Sequence, residues 1–179
     1  MTTRKLFFTG VLCLFVSAAP GFAQTAGTGN LKVKTNSGRT GVFIDGKYLG
    51  PAANFKIQRT YSLPAGQHEL ILREPRFEDY KTNITITAGQ TTKISQTLTP
   101  RPKPEPPFGT LKLSGFEKYS AVYLNGSYVG HADEFDFSRQ SLLIKPGEYE
   151  IEVNSAAGAS LLKTKVTIQE NKTETVHAR

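Results

Sequence analysis

Two short stretches fix what this chain can become. Val42 to Gly50 reads V-F-I-D-G-K-Y-L-G, and 80 residues later Val122 to Gly130 reads V-Y-L-N-G-S-Y-V-G. Asp45-Gly46 and Asn125-Gly126 are the pairs that a two-residue type I′ turn selects, because both of its central residues need positive φ. Each stretch therefore predicts a tight β-hairpin, and the chain predicts two copies of one β unit. With these turns Ile44 faces Lys47, Phe43 faces Tyr48 and Val42 faces Leu49. Val42 and Leu49 then point to a core. Phe43 and Tyr48 form a cross-strand aromatic pair on the opposite face, repeated as Tyr123 and Tyr128.

The flanking segments alternate in the same way. Leu31 and Val33 share a face between Lys32 and Lys34, which is the period of a half-buried strand. Phe55 to Leu63 predicts a longer strand, Pro64-Ala65-Gly66 a turn, and His68, Leu70 and Leu72 one face of the next strand. Pro75 to Asp79 is a loop. Tyr80 to Ile86 and Ile94 to Leu98 close the unit around a hairpin turn at Ala88-Gly89. No stretch holds a helical period, and seven short strands separated by turn signals predict a β-sandwich. The second copy follows the same order. Phe135 to Ile144 takes the place of the long strand, Pro146-Gly147 is the turn, and Tyr149, Ile151 and Val153 match His68, Leu70 and Leu72. The predicted fold class is all-β: two small antiparallel β-sandwich domains joined by a Pro-rich linker. Their bounds are 29–99 and 108–179. Residues 100–107, P-R-P-K-P-E-P-P, favour polyproline II and would span roughly 25 Å. A semi-rigid spacer is the expected role, with a Pro-rich recognition segment as the alternative.

Residues 1–23 read as a signal peptide. Arg4 and Lys5 precede an apolar run from Leu6 to Ala19, and Gly21-Phe22-Ala23 is a small-residue cleavage site. The run is short for a membrane span, which needs about 20 residues. Cys13, the single cysteine, lies within it behind Leu12, where a lipoprotein site wants a small residue. The mature chain would then have no disulfide and no cysteine-bound metal. The formal net charge is +7, and it is uneven. Residues 29–98 hold ten Lys+Arg against five Asp+Glu, and residues 109–179 hold eight against nine. Export and the lack of any nucleic-acid motif exclude DNA and RNA as expected partners.

The order of strand, V-x-[VIL]-[DN]-G-x-x-[VL]-G hairpin, long strand, [LI]-x-[AP]-G turn, G-x-[HY]-x-[LI]-x-[LV] strand and closing hairpin resembles the PEGA domain. Val42 to Gly50 with Leu63 to Leu72 carries the resemblance in the first copy. Val122 to Gly130 with Ile144 to Val153 carries it in the second. The resemblance implies a small β-sandwich module of surface and exported bacterial and archaeal proteins. It implies no catalytic activity and no cofactor.

Candidate chemistry is sparse. His68 sits where Tyr149 sits in the second copy, so packing is the expected role for both rings. His131-Ala-Asp133-Glu134-Phe-Asp136 is the densest polar cluster. Its oxygen ligands could hold calcium, but it lacks EF-hand spacing, and a solvated loop is the expectation. Glu78-Asp79 are adjacent and would point apart, against a hydrolytic pair. Asn83, Asn125 and Asn171 fit the glycosylation pattern but are expected as turn or strand residues. No serine elbow, zinc motif or phosphate loop is present. The remaining candidates are Phe43, Tyr48, Tyr123 and Tyr128. They are either ribbon-stabilising pairs or an exposed aromatic platform for a glycan or a protein. The expected function is a non-enzymatic binding module of the bacterial envelope, periplasmic or secreted, without cofactor or metal. Its partner would be an envelope protein or a polysaccharide. The alternatives are a structural spacer or an accessory subunit of an enzyme.

Overall fold

Alternating apolar residues cannot stay in water on one face, so each copy folds its strands into two sheets that bury those faces against each other. The computed structural model describes residues 27–55, 60–103, 105–136 and 142–178. Residues 1–23, expected from sequence to be a signal peptide and including Cys13, lie outside the described residues.

In the first module the strands are β1 (Thr28–Thr35), β2 (Gly41–Ile44), β3 (Lys47–Pro51), β4 (Tyr61–Pro64), β5 (Gly66–Arg73), β6 (Tyr80–Ile86) and β7 (Thr91–Gln96). They form a three-stranded sheet in the order β4-β1-β7 and a four-stranded sheet in the order β3-β2-β5-β6. The second module repeats this with β8 (Gly109–Ser114), β9 (Ala121–Leu124), β10 (Ser127–His131), β11 (Leu142–Ile144), β12 (Gly147–Asn154), β13 (Ser160–Ile168) and β14 (Thr173–His177). Its sheets are β11-β8-β14 and β10-β9-β12-β13. The fold is all-β, in two small sandwiches with separate cores. Leu31, Val33, Val42, Leu70, Leu72 and Ile86 fill the first. Their counterparts Leu111, Leu113, Val122, Ile151, Val153 and Ile168 fill the second.

Several local expectations change. Phe55–Leu63 is not one strand: Ala52–Phe55 is a 3-10 turn, and β4 begins at Tyr61. Phe135–Ile144 likewise opens on a turn, with Phe135 buried in the core, and only Leu142–Ile144 is strand among its described residues. Ala88-Gly89 does not close a hairpin. β6 pairs with β5, while β7 crosses to the other sheet and pairs with β1 in parallel. The turn is an arch between sheets, and Asn171 (φ 57°) serves it in the second module where Gly89 (φ 71°) does in the first. The parallel pair, repeated by β14 and β8, makes each three-stranded sheet mixed.

The hairpin turn is as predicted at its tip. Asp45 and Asn125 have φ of 50° and 47°, followed by positive-φ glycines. Phe43 pairs with Tyr48 and Ile44 with Lys47, but Val42 pairs with Gly50 rather than Leu49, because a bulge lies between. The second hairpin has the same bulge, with Val122 opposite Gly130. The turn side chains dock on the neighbouring strand. Asp45 Oδ1 accepts from the Glu69 amide at 2.9 Å, and Asn125 Oδ1 accepts from the Glu150 amide at 2.8 Å. His68 and Tyr149 perform the same local task. His68 Nε2 lies 2.9 Å from the Pro64 carbonyl, and the Tyr149 hydroxyl donates to the Lys145 carbonyl at 2.9 Å.

His68 does one thing more: its Nδ1 lies 2.6 Å from Asp45 Oδ2. The hydrogen bond to Asp45 raises the imidazole above its ordinary 6.5, and the bond to His68 lowers the carboxyl below its ordinary 3.8. These are two views of one interaction and count once. A raised histidine contributes stability below about 6.5, lost as pH rises through its folded value; a lowered carboxylate contributes above about 3.8, lost as pH falls through its folded value. The pair is fully effective between those limits. Because Asp45 is exposed, its worth is at the screened end, roughly 0.2–1 kcal/mol. His68→Tyr, which copies the second module, should lose stability at pH 5.5 and match the parent near pH 8.5. Urea titrations of both proteins across that range check this, and a pH-independent difference would contradict it.

Candidate functional site

A strand of a two-sheet sandwich should bury one face, yet all four residues of β2 are buried. Val42 and Ile44 face the first core. Phe43 points the other way and is only 3% exposed, because the second module covers it. The outer faces of the two four-stranded sheets meet, and Phe43, Tyr48, Ala121 and Tyr128 form a small third cluster with Ile71 and Tyr123 at its edge. The rings pack closely. Phe43 lies 5.3 Å from Tyr48 and 5.2 Å from Tyr128, the latter edge to face at 86°. Tyr48 and Tyr128 are 5.5 Å apart, and Tyr123 and Tyr128 5.8 Å. The Arg73 guanidinium sits 5.4 Å from the Phe43 ring centre.

The four aromatic candidates are thus brought together, but as a seam between modules and not as an exposed platform. Burial pushes the Tyr48 and Tyr128 phenols well above their usual 10. Tyr48 and Tyr128 occupy the same position in their repeats, so equivalent residues meet in the seam. Gly41 makes room for it. A Cβ there would sit 2.7 Å from Tyr128 ring atoms. The equivalent position in the second module is Ala121, itself part of the cluster.

Polar groups flank the seam. Arg39 Nε of the first module reaches Glu134 Oε2 of the second at 3.6 Å. Glu134 Oε1 lies 2.6 Å from His131 Nδ1, and Asp133 Oδ1 lies 2.8 Å from His131 Nε2. His131 is 6% exposed, under the Tyr119 ring at 5.9 Å, so this cluster is not the solvated loop expected from sequence. Burial raises the Asp133 carboxyl. Glu74 is buried as well; burial raises its carboxyl, and Arg76 Nη2 at 2.5 Å opposes the rise. Among the described residues no group of three or more His, Cys, Asp and Glu is placed to hold a metal ion.

The linker does not hold the modules apart. Pro100 bridges to Phe77, the Arg101 amide donates to the Arg76 carbonyl at 2.8 Å, and Arg101 Nε donates to the Phe77 carbonyl at 2.6 Å. The first half of the linker therefore lies along the first module. Between it and the second module runs a cleft of about 790 Å³. Phe77, Pro102, Val129, Leu142 and Leu143 form its apolar walls, and Arg76, Arg101, Lys103 and Lys145 contribute cations. Among the described residues no Asp, Glu, His or Cys lines it. Leu143 is 55% exposed and is one of two large exposed hydrophobic residues among those described. Sequence reasoning missed this cleft. Its residues come from seven separate stretches of the chain, and the one local signal was a leucine at an outward position of β11.

Comparison with known proteins places the first module. Residues 28–102 match the PEGA domain model. The second module shares its strand order without being covered by that match. No curated protein matches the sequence. Among solved structures, the Bacillus anthracis TIE protein is similar at 12% identity and a TM-score of 0.25, over 86% of this chain and 34% of that one. The Bacteroides ovatus mixed-linkage glucan utilization locus SGBP-B, in complex with a mixed-linkage heptasaccharide, is similar at 15% identity and a TM-score of 0.21, over 83% and 43%. The chain spans less than half the length of either.

The seam can be tested by a double-mutant cycle. Gly41→Ala should destabilise the protein by roughly 1–3 kcal/mol, because the new methyl displaces a packed ring. In a Tyr128→Ala background the same change should cost little, giving a coupling above about 0.5 kcal/mol in urea denaturation. Additive effects would mean that Tyr128 does not rest on Gly41.

Proposed function

We propose that this protein, built on a PEGA module and its structural twin, is a non-enzymatic binding protein of the bacterial cell envelope. In this reading residues 1–23 export it to the periplasm or beyond, and the cleft between the modules receives an envelope partner, protein or polysaccharide. The observation that carries the reading is the cleft itself: an open apolar surface, ringed by cations, that neither module possesses alone. Small folded proteins rarely leave such a surface uncovered without a use for it.

The lining supports binding over catalysis. A reaction site needs an acid, a base or a nucleophile with its activator. Among the described residues the cleft lining offers no carboxylate, imidazole or thiol, and the serine among them, Ser37, has no base in that lining beside it. The spacer alternative fits poorly with the seam, since modules packed face to face shorten the reach of the chain. Among the described residues no helix is long and apolar enough to cross a membrane.

Leu143→Asp places a charge on the cleft wall at an exposed position, where the fold should tolerate it. Immobilised parent protein should retain an envelope component saturably from bacterial extract, and the variant should bind it at least tenfold more weakly. Leu161→Asp, at the other exposed leucine, serves as the control. Equal retention by parent and Leu143→Asp protein would remove the cleft from the function.

A further inference from the structure

The cleft contains an unpaired strand edge. β11 is the outer strand of β11-β8-β14 and among the described residues pairs with β8 alone, through Leu142 with Leu111, Leu143 with Thr110 and Ile144 with Gly109. Its other side presents backbone donors and acceptors with no strand against them among the described residues. Proteins normally guard such an edge with a charge, a proline or a bulge, because it templates pairing with another chain. β11 is short, but its three residues, Leu142, Leu143 and Ile144, include no charge, proline or bulge.

The first module supplies an internal comparison. β4 stands in the same place, pairing Leu63 with Gly29 and Ser62 with Asn30. By that register Ser62 corresponds to Leu143 and Leu63 to Ile144. The first edge is thus polar at the outward position and ends in Pro64. It is also tied down by Tyr61, whose hydroxyl donates to the Leu49 carbonyl. The second edge is apolar at the same position, and this is the edge that faces the cleft.

The other lining groups narrow the occupant. Sugar recognition uses free planar polar side chains and free aromatic faces with hydroxyl partners. Here the Asn36 amide is engaged on both sides by Leu98, its Oδ1 accepting from the Leu98 amide at 2.9 Å and its Nδ2 donating to the Leu98 carbonyl at 3.1 Å. The Tyr149 hydroxyl is committed to the Lys145 carbonyl. Arg76 and Arg101 face Glu74 and Asp79, whereas Lys103 and Lys145 pair with no carboxylate among the described residues. What remains unsatisfied is a strand edge, an apolar wall, two lysines and the small Ser37 hydroxyl. Resting on the cleft as the binding site, we propose that its occupant is an extended segment of a partner protein that adds to the free edge of β11. Such a strand has period two, so apolar side chains pack on Leu143 and Val129 while alternate acidic ones meet Lys103 and Lys145.

The test uses a display library of random peptides about nine residues long, panned against the full chain, with polygalacturonate as a polyanionic sugar probe. Enriched peptides should alternate apolar and acidic residues and bind more weakly as salt rises. Binding should fall at least tenfold on Leu143→Ser, which reproduces the first module's edge, and exchange should slow on binding at those β11 amides that point away from β8, which alternate along the strand. Circular dichroism confirms that the variant is folded. No enrichment, enrichment indifferent to Leu143→Ser, or binding without amide protection would overturn the proposal. If polygalacturonate binds and Leu143→Ser abolishes it while no peptide is enriched, the strand-addition idea falls and the cleft stands. If envelope retention also ignores Leu143→Asp, both fall.

Discussion

A hairpin buried on both faces organises this molecule. Its inward residues, Val42 and Ile44 or Val122 and Leu124, belong to the separate module cores. Its outward rings meet those of the other hairpin and close the space between modules. Aromatic pairs at such distances add about 0.5–1.5 kcal/mol each beyond the area they bury. Small modules have little stability to spare, so a shared seam matters to both. The seam also fixes where everything else lies: the Arg39–Glu134 pair, the buried His131 and the cleft beyond them all depend on the two sheets meeting at this one place.

The meeting of equivalent residues follows from duplication. When two copies of one unit bury the same patch, each position can meet its own counterpart, as Tyr48 and Tyr128 do. A symmetric dimer brings like residues together in the same way. Symmetry is then broken where it suits the packing. Gly41 admits the Tyr128 ring, whereas Ala121 stands at the matching site. Asp45 is held by His68, whereas Asn125 needs no charged partner. Ser62 guards one edge, whereas Leu143 leaves the other open.

The route from seam to function passes through the linker. A proline-rich segment cannot join a sheet ladder through every residue, since proline lacks an amide donor. Its start is nevertheless anchored through the Arg101 amide and side chain to the Phe77 loop. That anchoring turns the linker into one wall of the cleft, opposite β11 and Val129 of the second module. The candidate site is therefore a property of the assembled pair, and either module alone would present only half of it.

Much of the fold was legible in the chain. The D-G and N-G turns, the alternation of Leu31 with Val33 and of Leu70 with Leu72, and the repeat itself are local patterns, and local backbone and side-chain sterics determine them. The bulge at Val42, the arch at Gly89 and the parallel β1–β7 pair were not legible, because register and strand partners depend on residues distant in sequence. The outward rings were visible as a pair, but a sequence does not state what covers them. Sequence alone thus determined two all-β units, their hairpins and their lack of reactive motifs. Tertiary structure decided that those units lock through Phe43, Tyr48 and Tyr128 and leave an apolar, cationic cleft beside the lock. The reason is physical: alternation tells which face of a strand avoids water, and only the fold decides which surface is there to shield it.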